Sequence, residues 1–154
     1  MEIERKYIVN DIPEDLVNHL SHRISQGYII SSDDAEVRIR MKGAQFTQSV
    51  KRGAGVIREE VEIELTEAQF NTLWPLTLGR RVEKTRYNMP YQNHMIELDI
   101  YSAGLEGLVT AEVEFDSEAA SDAFVAPLWF GREVTFDERY KNKNLAVHGT
   151  PPGR

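Results

Sequence analysis

The first residues of the chain that could do chemistry are two carboxylates and an ammonium at alternate positions, Glu2, Glu4 and Lys6, within the stretch MEIERKYIV. A β-strand projects residues i and i+2 to the same face, so a strand here would present all three charges together. Ile3, which lies between these charges, and Tyr7 and Val9, which follow them, would make the opposite face largely apolar. A half-solvated strand carries the same pattern, so this stretch alone leaves a solvated surface and a functional site as alternatives.

Composition limits the classes of protein to which the chain can belong. Its 154 residues suit one domain with a hydrophobic core, and its net charge of -7 disfavours a general surface for nucleic acid or anionic membrane. The absence of cysteine excludes disulfides, thiolate catalysis and cysteine-bound zinc. There is no basic segment followed by an apolar run near the start, and no apolar stretch of about 18 residues. We therefore expect a cytoplasmic protein with no membrane or nucleic-acid partner, a single domain over residues 1–147 and a frayed tail over residues 148–154.

The elements that must position these charges are mainly strands. Besides the opening strand, alternating patterns occupy residues 27–30, 35–42, 44–51, 56–65, 80–89, 95–101 and 108–115. Short turn signals join most of them, which favours antiparallel pairing. Helices are predicted over residues 11–23, 65–74, 116–124 and 139–148. Thr66 with Gln69, and Thr135 with Glu138, have the spacing of capping boxes, and Ser117 is placed to begin the third helix. The pattern predicts an α+β protein with a large antiparallel sheet.

The charged face of the opening strand recurs along the chain. The acids on this parity are Glu2, Glu4, Glu36, Glu60, Glu62, Glu64, Glu97, Asp99, Glu112 and Glu114. The bases are Lys6, Arg38, Arg40, Lys51, Arg58, Lys84 and Arg86. Either this face is solvated and the helices cover the other one, or the sheet curls so that the charges line a tunnel. Recurrence over so many strands, with few Ser, Thr or Gln, favours the tunnel.

An enclosed face with surplus carboxylates would need cations, because burying unpaired charges costs several kcal/mol each. Carboxylates without His or Cys suit hard ions, Mg²⁺ or Mn²⁺, better than zinc. With roughly two such ions the lining becomes slightly positive, and its Arg and Lys side chains could receive a polyanion such as a phosphate chain. Acids for metal together with bases for phosphate are the apparatus of metal-assisted phosphoryl transfer.

The motifs that carry these charges resemble those of a known family. EIERK at residues 2–6 is similar to the ExExK signature of the CYTH superfamily, the triphosphate tunnel metalloenzymes. Further matches follow in order along residues 1–147: EVRIR (36–40), SVKRG (49–53), REEVEIEL (58–65), EKTRY (83–87), ELD (97–99), AEVEF (111–115) and RYKNKNLA (139–146). The compact chain most resembles the small bacterial inorganic triphosphatases of that family.

The resemblance implies an eight-stranded antiparallel β-barrel that forms a tunnel with a charged interior, with helices packed outside. It also implies two divalent ions, Mg²⁺ or Mn²⁺. The implied ligands are Glu2, Glu4 and Glu114 for the first ion, and Asp99 and Glu112 for the second. The implied phosphate contacts are Lys6, Arg38, Arg40, Lys51, Lys84, Arg86 and Arg139, the last from the C-terminal helix at one mouth of the tunnel. Of these, Lys6 and Lys84 would be catalytic, placing the attacking water or the terminal phosphoryl group. Glu62 would order the basic residues, and Tyr28 would lie at a mouth as a lid.

The resemblance further implies hydrolysis of the terminal phosphoanhydride of a triphosphate. Three substrates compete: inorganic triphosphate, a nucleoside triphosphate and thiamine triphosphate. A base or thiamine ring would need an aromatic platform inside the tunnel, but Trp74 and Trp129 fall outside the parity of the charged face. Inorganic triphosphate, cleaved to pyrophosphate and phosphate, is therefore the favoured small-molecule substrate. A non-catalytic barrel that binds polyphosphate or nucleotide remains the alternative from another class, and the oligomeric state stays open.

Overall fold

A computed structural model describes residues 3–53 and 59–152 of the chain, which form one antiparallel sheet of nine strands with three α-helices. The strands are β1 (Ile3–Val9), β2 (Leu20–Ser31), β3 (Ala35–Lys42), β4 (Gln45–Arg52), β5 (Glu59–Glu64), β6 (Arg81–Tyr91), β7 (His94–Ser102), β8 (Val109–Phe115) and β9 (Phe130–Glu133). The helices are α1 (Glu67–Leu73), α2 (Glu118–Ala123) and α3 (Asn142–His148). Short 3₁₀ turns lie at Leu16–Asn18, Trp74–Thr77, Ala103–Leu105 and Glu138–Tyr140.

The order of strands in the sheet is β5-β4-β3-β2-β6-β7-β8-β1-β9. The antiparallel α+β fold is therefore confirmed, with nine strands where eight were predicted, because the short β9 pairs with β1. Within the described residues β5 and β9 are the two edges and are not hydrogen-bonded to each other, so backbone pairing does not close the sheet. The predicted strand over residues 56–65 begins at Glu59 in the described part of the chain.

The predicted helix over residues 11–23 is wrong. The segment forms the 3₁₀ turn Leu16–Asn18 and then enters β2, whose residues 20–27 pair with β6 from Leu20↔Asn88 to Gly27↔Arg81. A sequence window of this length cannot show a partner more than fifty residues away, and pairing with that partner decides the conformation.

Two of the predicted helix starts are confirmed. Thr66 accepts a hydrogen bond from the backbone N–H of Gln69, and the Gln69 side chain accepts one from the Thr66 N–H, which makes a complete capping box. Ser117 accepts from the N–H of Ala120 at the start of α2. After these caps, α1 packs against β3 and β4, and α2 packs against β1 and β8.

The capping box expected at Thr135 and Glu138 is wrong. The Asp137 carboxylate accepts from the N–H of Arg139 instead, and the predicted helix over residues 139–148 divides into the 3₁₀ turn Glu138–Tyr140 and α3. The Thr135 hydroxyl accepts from the backbone N–H of Lys6, which ties this segment to β1.

The core is divided between the two faces of the sheet. On the apolar face, β1, β6, β7 and β8 pack with the segment after α2. The buried residues there are Tyr7, Val9, Leu16, Met89, Ile96, Leu98, Val109, Ala111, Val113, Phe115 and Phe124. A second buried cluster takes Ile8, Val82 and Tyr101 from the parity of the charged residues. Its other members are Leu105, Leu108, Val134, Tyr140 and Leu145, so the C-terminal segment packs on the charged face and fills one end of it.

The remaining structural expectations concern the tail and the membrane. Gly149, with φ of 77°, ends α3, and Pro151 is buried, whereas residues 153–154 lie outside the described part. In the part of the chain that the structure describes, every helix is too short or too polar to cross a membrane.

Candidate active site

The centre of the charged face is enclosed by protein. Gln26, Lys84, Asp99 and Thr110 are each 0% exposed. On the edge strand β5, by contrast, all six residues are exposed. Glu4 on β1 and Glu114 on β8 are exposed as well. Of the two arrangements that the sequence allows, a solvated face therefore describes β5 and these two positions, and an enclosed polar face describes the middle of the sheet.

Asp99 is the anionic centre of this enclosed face. It is paired in register with Arg86 across β6 and β7. The Arg86 guanidinium donates from Nε to Oδ1 at 2.8 Å and from Nη2 to Oδ2 at 2.9 Å, and Lys84 Nζ lies 2.8 Å from Oδ2. Burial opposes ionisation of this carboxyl, but Lys84 and Arg86 outweigh it and hold the pKa of Asp99 below its usual range. Asp99 as a ligand of the second metal ion stays a prediction, which would require its oxygens to be shared between the ion and these cations.

Lys84 is a buried cation with few hydrogen-bond acceptors around its ammonium group. Burial lowers its pKa to about 8, against the attraction of Asp99, and Arg86 lowers it further. Its contact with Asp99 is an ion pair without hydrogen-bond geometry, so within the described residues Nζ has no hydrogen-bond partner. A buried ammonium with unused donors is suited to receive an anionic ligand.

Two further cations project from β3. Arg40 donates from Nε to Gln26 Oε1 at 2.9 Å, and burial together with the like charges of Arg38 and Arg86 lowers the pKa of Arg40 to about 10. Arg38 Nη2 lies 3.4 Å from Ser49 Oγ, while its buried Nε has no hydrogen-bond partner in the described part of the chain. The strand β2 lies between β3 and β6, so these arginines and the Lys84–Arg86 pair flank it from either side.

Glu62 reaches this cluster through an intermediate side chain. The Ser49 hydroxyl donates a hydrogen bond to Glu62 Oε2 at 3.1 Å, and it accepts one from Arg38 Nη2 at 3.4 Å. Since Glu62, Ser49 and Arg38 occupy opposed positions on β5, β4 and β3, the register builds this chain of contacts. The geometry agrees with the ordering role expected of Glu62.

The adjacent strands β1 and β8 carry the carboxylates of Glu4, Glu112 and Glu114. Glu4 is opposite Glu114, and Lys6 is opposite Glu112, with Lys6 Nζ 3.4 Å from Glu112 Oε1. Lys6 Nζ also donates to the Tyr140 carbonyl at 2.6 Å, which links the site to the C-terminal segment. These carboxylates share one face of adjacent strands and offer only oxygen, the donor that Mg²⁺ and Mn²⁺ prefer.

The structure does not show the predicted metal ligands already gathered. Within residues 3–53 and 59–152, no group of three or more His, Asp or Glu side chains is close enough to hold an ion. Glu2, predicted as a ligand, and Arg58 lie outside the described residues. The donor chemistry of Glu4, Glu112 and Glu114 fits a hard divalent ion.

Two predicted site residues lie away from this centre. Lys51 is on β4, with Nζ 3.8 Å from Glu60 on the exposed edge strand. Arg139 lies in a 3₁₀ turn rather than in α3, and its exposed guanidinium is bound by Asp137 at 2.7 Å. Tyr28, expected as a lid at a mouth, lies inside the centre instead: it is 2% exposed in the body of β2, and its hydroxyl accepts from Gln26 Nε2 at 3.1 Å.

Sequence reasoning missed three neutral residues of the enclosed face. Gln26, Ser49 and Thr110 lie on the parity of the charged residues and are at most 1% exposed. Parity could have found Thr110, which lies between Val109 and Ala111. The signal is weak for the other two, because Gln26 lies between Ser25 and Gly27 and Ser49 follows Gln48. Gln26 was also lost because the predicted strand began one residue after it.

An antiparallel sheet with an enclosed cationic face and carboxylates beside it defines a protein built to hold a polyanion. The comparisons with known proteins agree. The model of the CYTH domain family matches residues 1–147, and the chain belongs to that family. Membership implies dependence on a divalent metal, and the resemblance found in the motifs is confirmed.

Particular relatives extend the match over nearly the whole chain. The chain is 45% identical over 149 residues to an inorganic triphosphatase of Nitrosomonas europaea, covering 95% of this chain and 97% of the relative. It is 37% identical over 147 residues to an inorganic triphosphatase of Acetivibrio thermocellus, covering 94% and 92%. The crystal structure of the inorganic triphosphatase NE1496 superimposes with a TM-score of 0.78 at 42% identity, covering 99% of this chain and 97% of that one.

Proposed function

We propose that the protein is an enzyme that hydrolyses the terminal phosphoanhydride of inorganic triphosphate and releases pyrophosphate and phosphate. The observation that carries the proposal is the buried cationic cluster, in which Lys84 Nζ contacts one Asp99 oxygen and Arg38 Nε has no hydrogen-bond partner among the described residues. Buried donors of this kind are costly unless a ligand satisfies them. Two relatives that match more than nine-tenths of the chain bear the name inorganic triphosphatase.

Each cation is proposed to bind a different part of the substrate. Arg38, Arg40 and Arg86 present guanidinium groups, whose planar donors match pairs of phosphate oxygens. Lys84 would contact the phosphate chain at its buried end, and Lys51 nearer the exposed edge. Arg139 would meet substrate only after releasing Asp137. This arrangement would neutralise the charge of a triphosphate along its length.

Two divalent ions, Mg²⁺ or Mn²⁺, are proposed to bind in the site. Their proposed ligands are the carboxylates of Glu2, Glu4, Glu112 and Glu114. When bound, the metal would neutralise charge on phosphate oxygens and lower the pKa of a coordinated water. Asp99, whose oxygens contact Lys84 and Arg86, is proposed to keep these cations in place. If activity depends on metal but the metal requirement is unchanged when Glu4 is replaced, this division of roles is contradicted.

Lys6 and Lys84 are proposed to act on the terminal phosphoryl group. Lys84 is buried and so cannot move far, which suits it to hold the phosphoryl oxygens as charge develops on them. Lys6 is bound to the Tyr140 carbonyl and to Glu112, and would exchange the carbonyl for substrate or water. The arginines would stabilise the charge of the transition state.

Inorganic triphosphate is favoured over nucleoside and thiamine triphosphates because, among the residues that the structure describes, the enclosed face offers no open aromatic ring. Trp74 stacks on Phe70, 5.1 Å between centroids, and Trp129 packs against Phe130, away from the charged parity. Tyr28 and Tyr101 do lie on that parity, but each is only 2% exposed. Neither ring could stack on a base without rearrangement.

A panel of substrates tests the proposal. Tripolyphosphate, ATP, thiamine triphosphate and pyrophosphate would be compared with Mg²⁺ and with Mn²⁺ by following phosphate release. We expect tripolyphosphate to give the highest kcat/KM. Preference for ATP by a wide margin would contradict the substrate, and binding of tripolyphosphate without turnover would favour the non-catalytic barrel. The cytoplasmic location stays a prediction from the sequence.

A further inference from the structure

Gln26 occupies the middle of the cationic cluster and carries no charge. It lies on β2, between the strands that supply Arg40 and Lys84, and is 0% exposed. Its Oε1 accepts from Arg40 Nε at 2.9 Å, and its Nε2 donates to the Tyr28 hydroxyl at 3.1 Å. Both ends of the amide are therefore used within the protein.

These contacts fix the direction of the amide. Rotating the group by a half-turn would place its NH₂ against the Arg40 Nε–H, so two donors would face each other. The Tyr28 hydroxyl holds the NH₂ end, and burial raises the pKa of Tyr28, which keeps this phenol neutral. The carbonyl end is thereby held toward Arg40.

The cluster holds Arg86 and Arg40 in different ways. Arg86 is bound by the carboxylates of Asp99 and Glu97, which offset part of the positive charge around it. Arg40 is held by a neutral amide, and in the described part of the chain no carboxylate forms an ion pair with Arg40 or Arg38. A neutral acceptor orients a guanidinium while leaving its full charge for a ligand.

We propose that Gln26 is a positioning residue that aims Arg40 at a phosphate group of the substrate and preserves its positive charge. The proposal rests on the function proposed above and adds one of the residues that set affinity for the triphosphate. A carboxylate at this position would keep the acceptor but form an ion pair with Arg40, so it would compete with phosphate. An apolar side chain of similar length would leave Arg40 without its acceptor.

Three variants test this. Gln26→Glu supplies a charged acceptor, Gln26→Met supplies none, and Gln92→Glu makes the same change of charge in the exposed turn between β6 and β7. KM and kcat for tripolyphosphate would be measured at saturating Mg²⁺, with Tm to follow folding. We expect KM to rise about tenfold to hundredfold in Gln26→Glu, the range for a hydrogen bond to a charged group, with a smaller change in kcat.

The two Gln26 variants separate positioning from simple filling of space. A raised KM in Gln26→Met at nearly unchanged Tm supports positioning, and an unchanged KM with lowered Tm overturns it. If Gln26→Glu does not fold, Gln26→Met decides on the same criterion. A KM in Gln26→Glu equal to that of Gln92→Glu overturns the role of neutrality. Wild-type protein that neither hydrolyses nor binds tripolyphosphate would instead overturn the proposed function, so the two failures are distinct.

Discussion

Arg86 on β6 and Asp99 on β7 form a bidentate ion pair, with donor–acceptor distances of 2.8 Å and 2.9 Å. The Asp99 side chain is 0% exposed and that of Arg86 is 8% exposed, so water screens this pair little. Lys84 shares the same carboxylate. One buried anion thus holds two cations of the candidate site, and it connects the stability of the fold to the arrangement of the site.

Replacing Asp99 with Asn should therefore destabilise the protein as well as impair it. Removing one member of a buried pair leaves the other charge uncompensated, which costs about 3–5 kcal/mol. We expect a loss of this order in the free energy of unfolding, measured in urea, and a fall in kcat/KM. Glu59→Gln is the matched control, because it breaks a pair with Arg52 whose side chains are 61% and 74% exposed, and it should change stability little. Equal effects of both substitutions would show that the buried pair has no special importance.

The pKa of Lys84 predicts the alkaline limb of the activity profile. The pKa of this ammonium is lowered to about 8 in the free protein, chiefly by burial. If its charge is needed to bind phosphate, log kcat/KM should fall as pH rises through about 8. Bound phosphate would favour the protonated form, so the corresponding limb of kcat should lie at higher pH. A Lys84→Arg variant that retains activity should lose the limb near pH 8, because a guanidinium stays charged.

The same group gives a sign for stability against pH. The pKa of an unfolded lysine is higher, so between about 8 and 10.5 the unfolded chain binds more protons at this position than the folded chain. The contribution of Lys84 to the free energy of unfolding should therefore increase with pH across that window. Asp99 acts in the opposite range. Its lowered pKa gives stability that is present above the usual carboxyl pKa and is lost as pH falls well below it.

Ser49 should influence substrate binding without contacting the metal ligands. It joins Arg38 to Glu62 by hydrogen bonds of 3.4 Å and 3.1 Å. Both partners are charged, and hydrogen bonds to charged groups contribute about 1.5–3 kcal/mol. Because Ser49 acts on substrate only through Arg38, over a long bond of 3.4 Å, Ser49→Ala should raise the KM for tripolyphosphate by a smaller factor, about twofold to tenfold. Ser121→Ala, on α2, removes the same hydroxyl far from this chain of contacts. No difference between the two variants would remove Ser49 and Glu62 from the proposed site.

Much of the enclosed face follows from the sequence because a strand has a period of two. Asp99 lies between Leu98 and Ile100, and Glu112 lies between Ala111 and Val113. Any pairing that buries those apolar neighbours places the charges on the opposite side. The identity of the charged set therefore needs no knowledge of the register. The capping box at Thr66 is equally local, since its two partners are three residues apart.

The contacts within that face depend on register and could not be predicted in the same way. Asp99 meets Arg86 only because β6 and β7 pair at that offset. Gln26 meets Arg40 because β2 extends well before the predicted strand, a result of its pairing with β6. β9 has four residues, too few for a reliable alternation. The missed features are thus those that distant parts of the chain determine.

Glu4 provides the sharpest test of the metal assignment. It is opposite Glu114 on adjacent strands, and both carboxylates belong to the all-oxygen donor set of the proposed site. Glu4→Gln removes one anionic ligand while keeping nearly the same shape, so the Mg²⁺ concentration that gives half-maximal activity should rise by about tenfold or more, with lower activity at saturation. Glu106→Gln, in the exposed turn before β8, removes the same charge outside the face and should leave the metal dependence unchanged. Removing metal with EDTA should abolish turnover in both proteins, and adding Mg²⁺ should restore the control at lower concentration than the Glu4 variant. Coinciding metal titrations for the two variants would rule out Glu4 as a ligand.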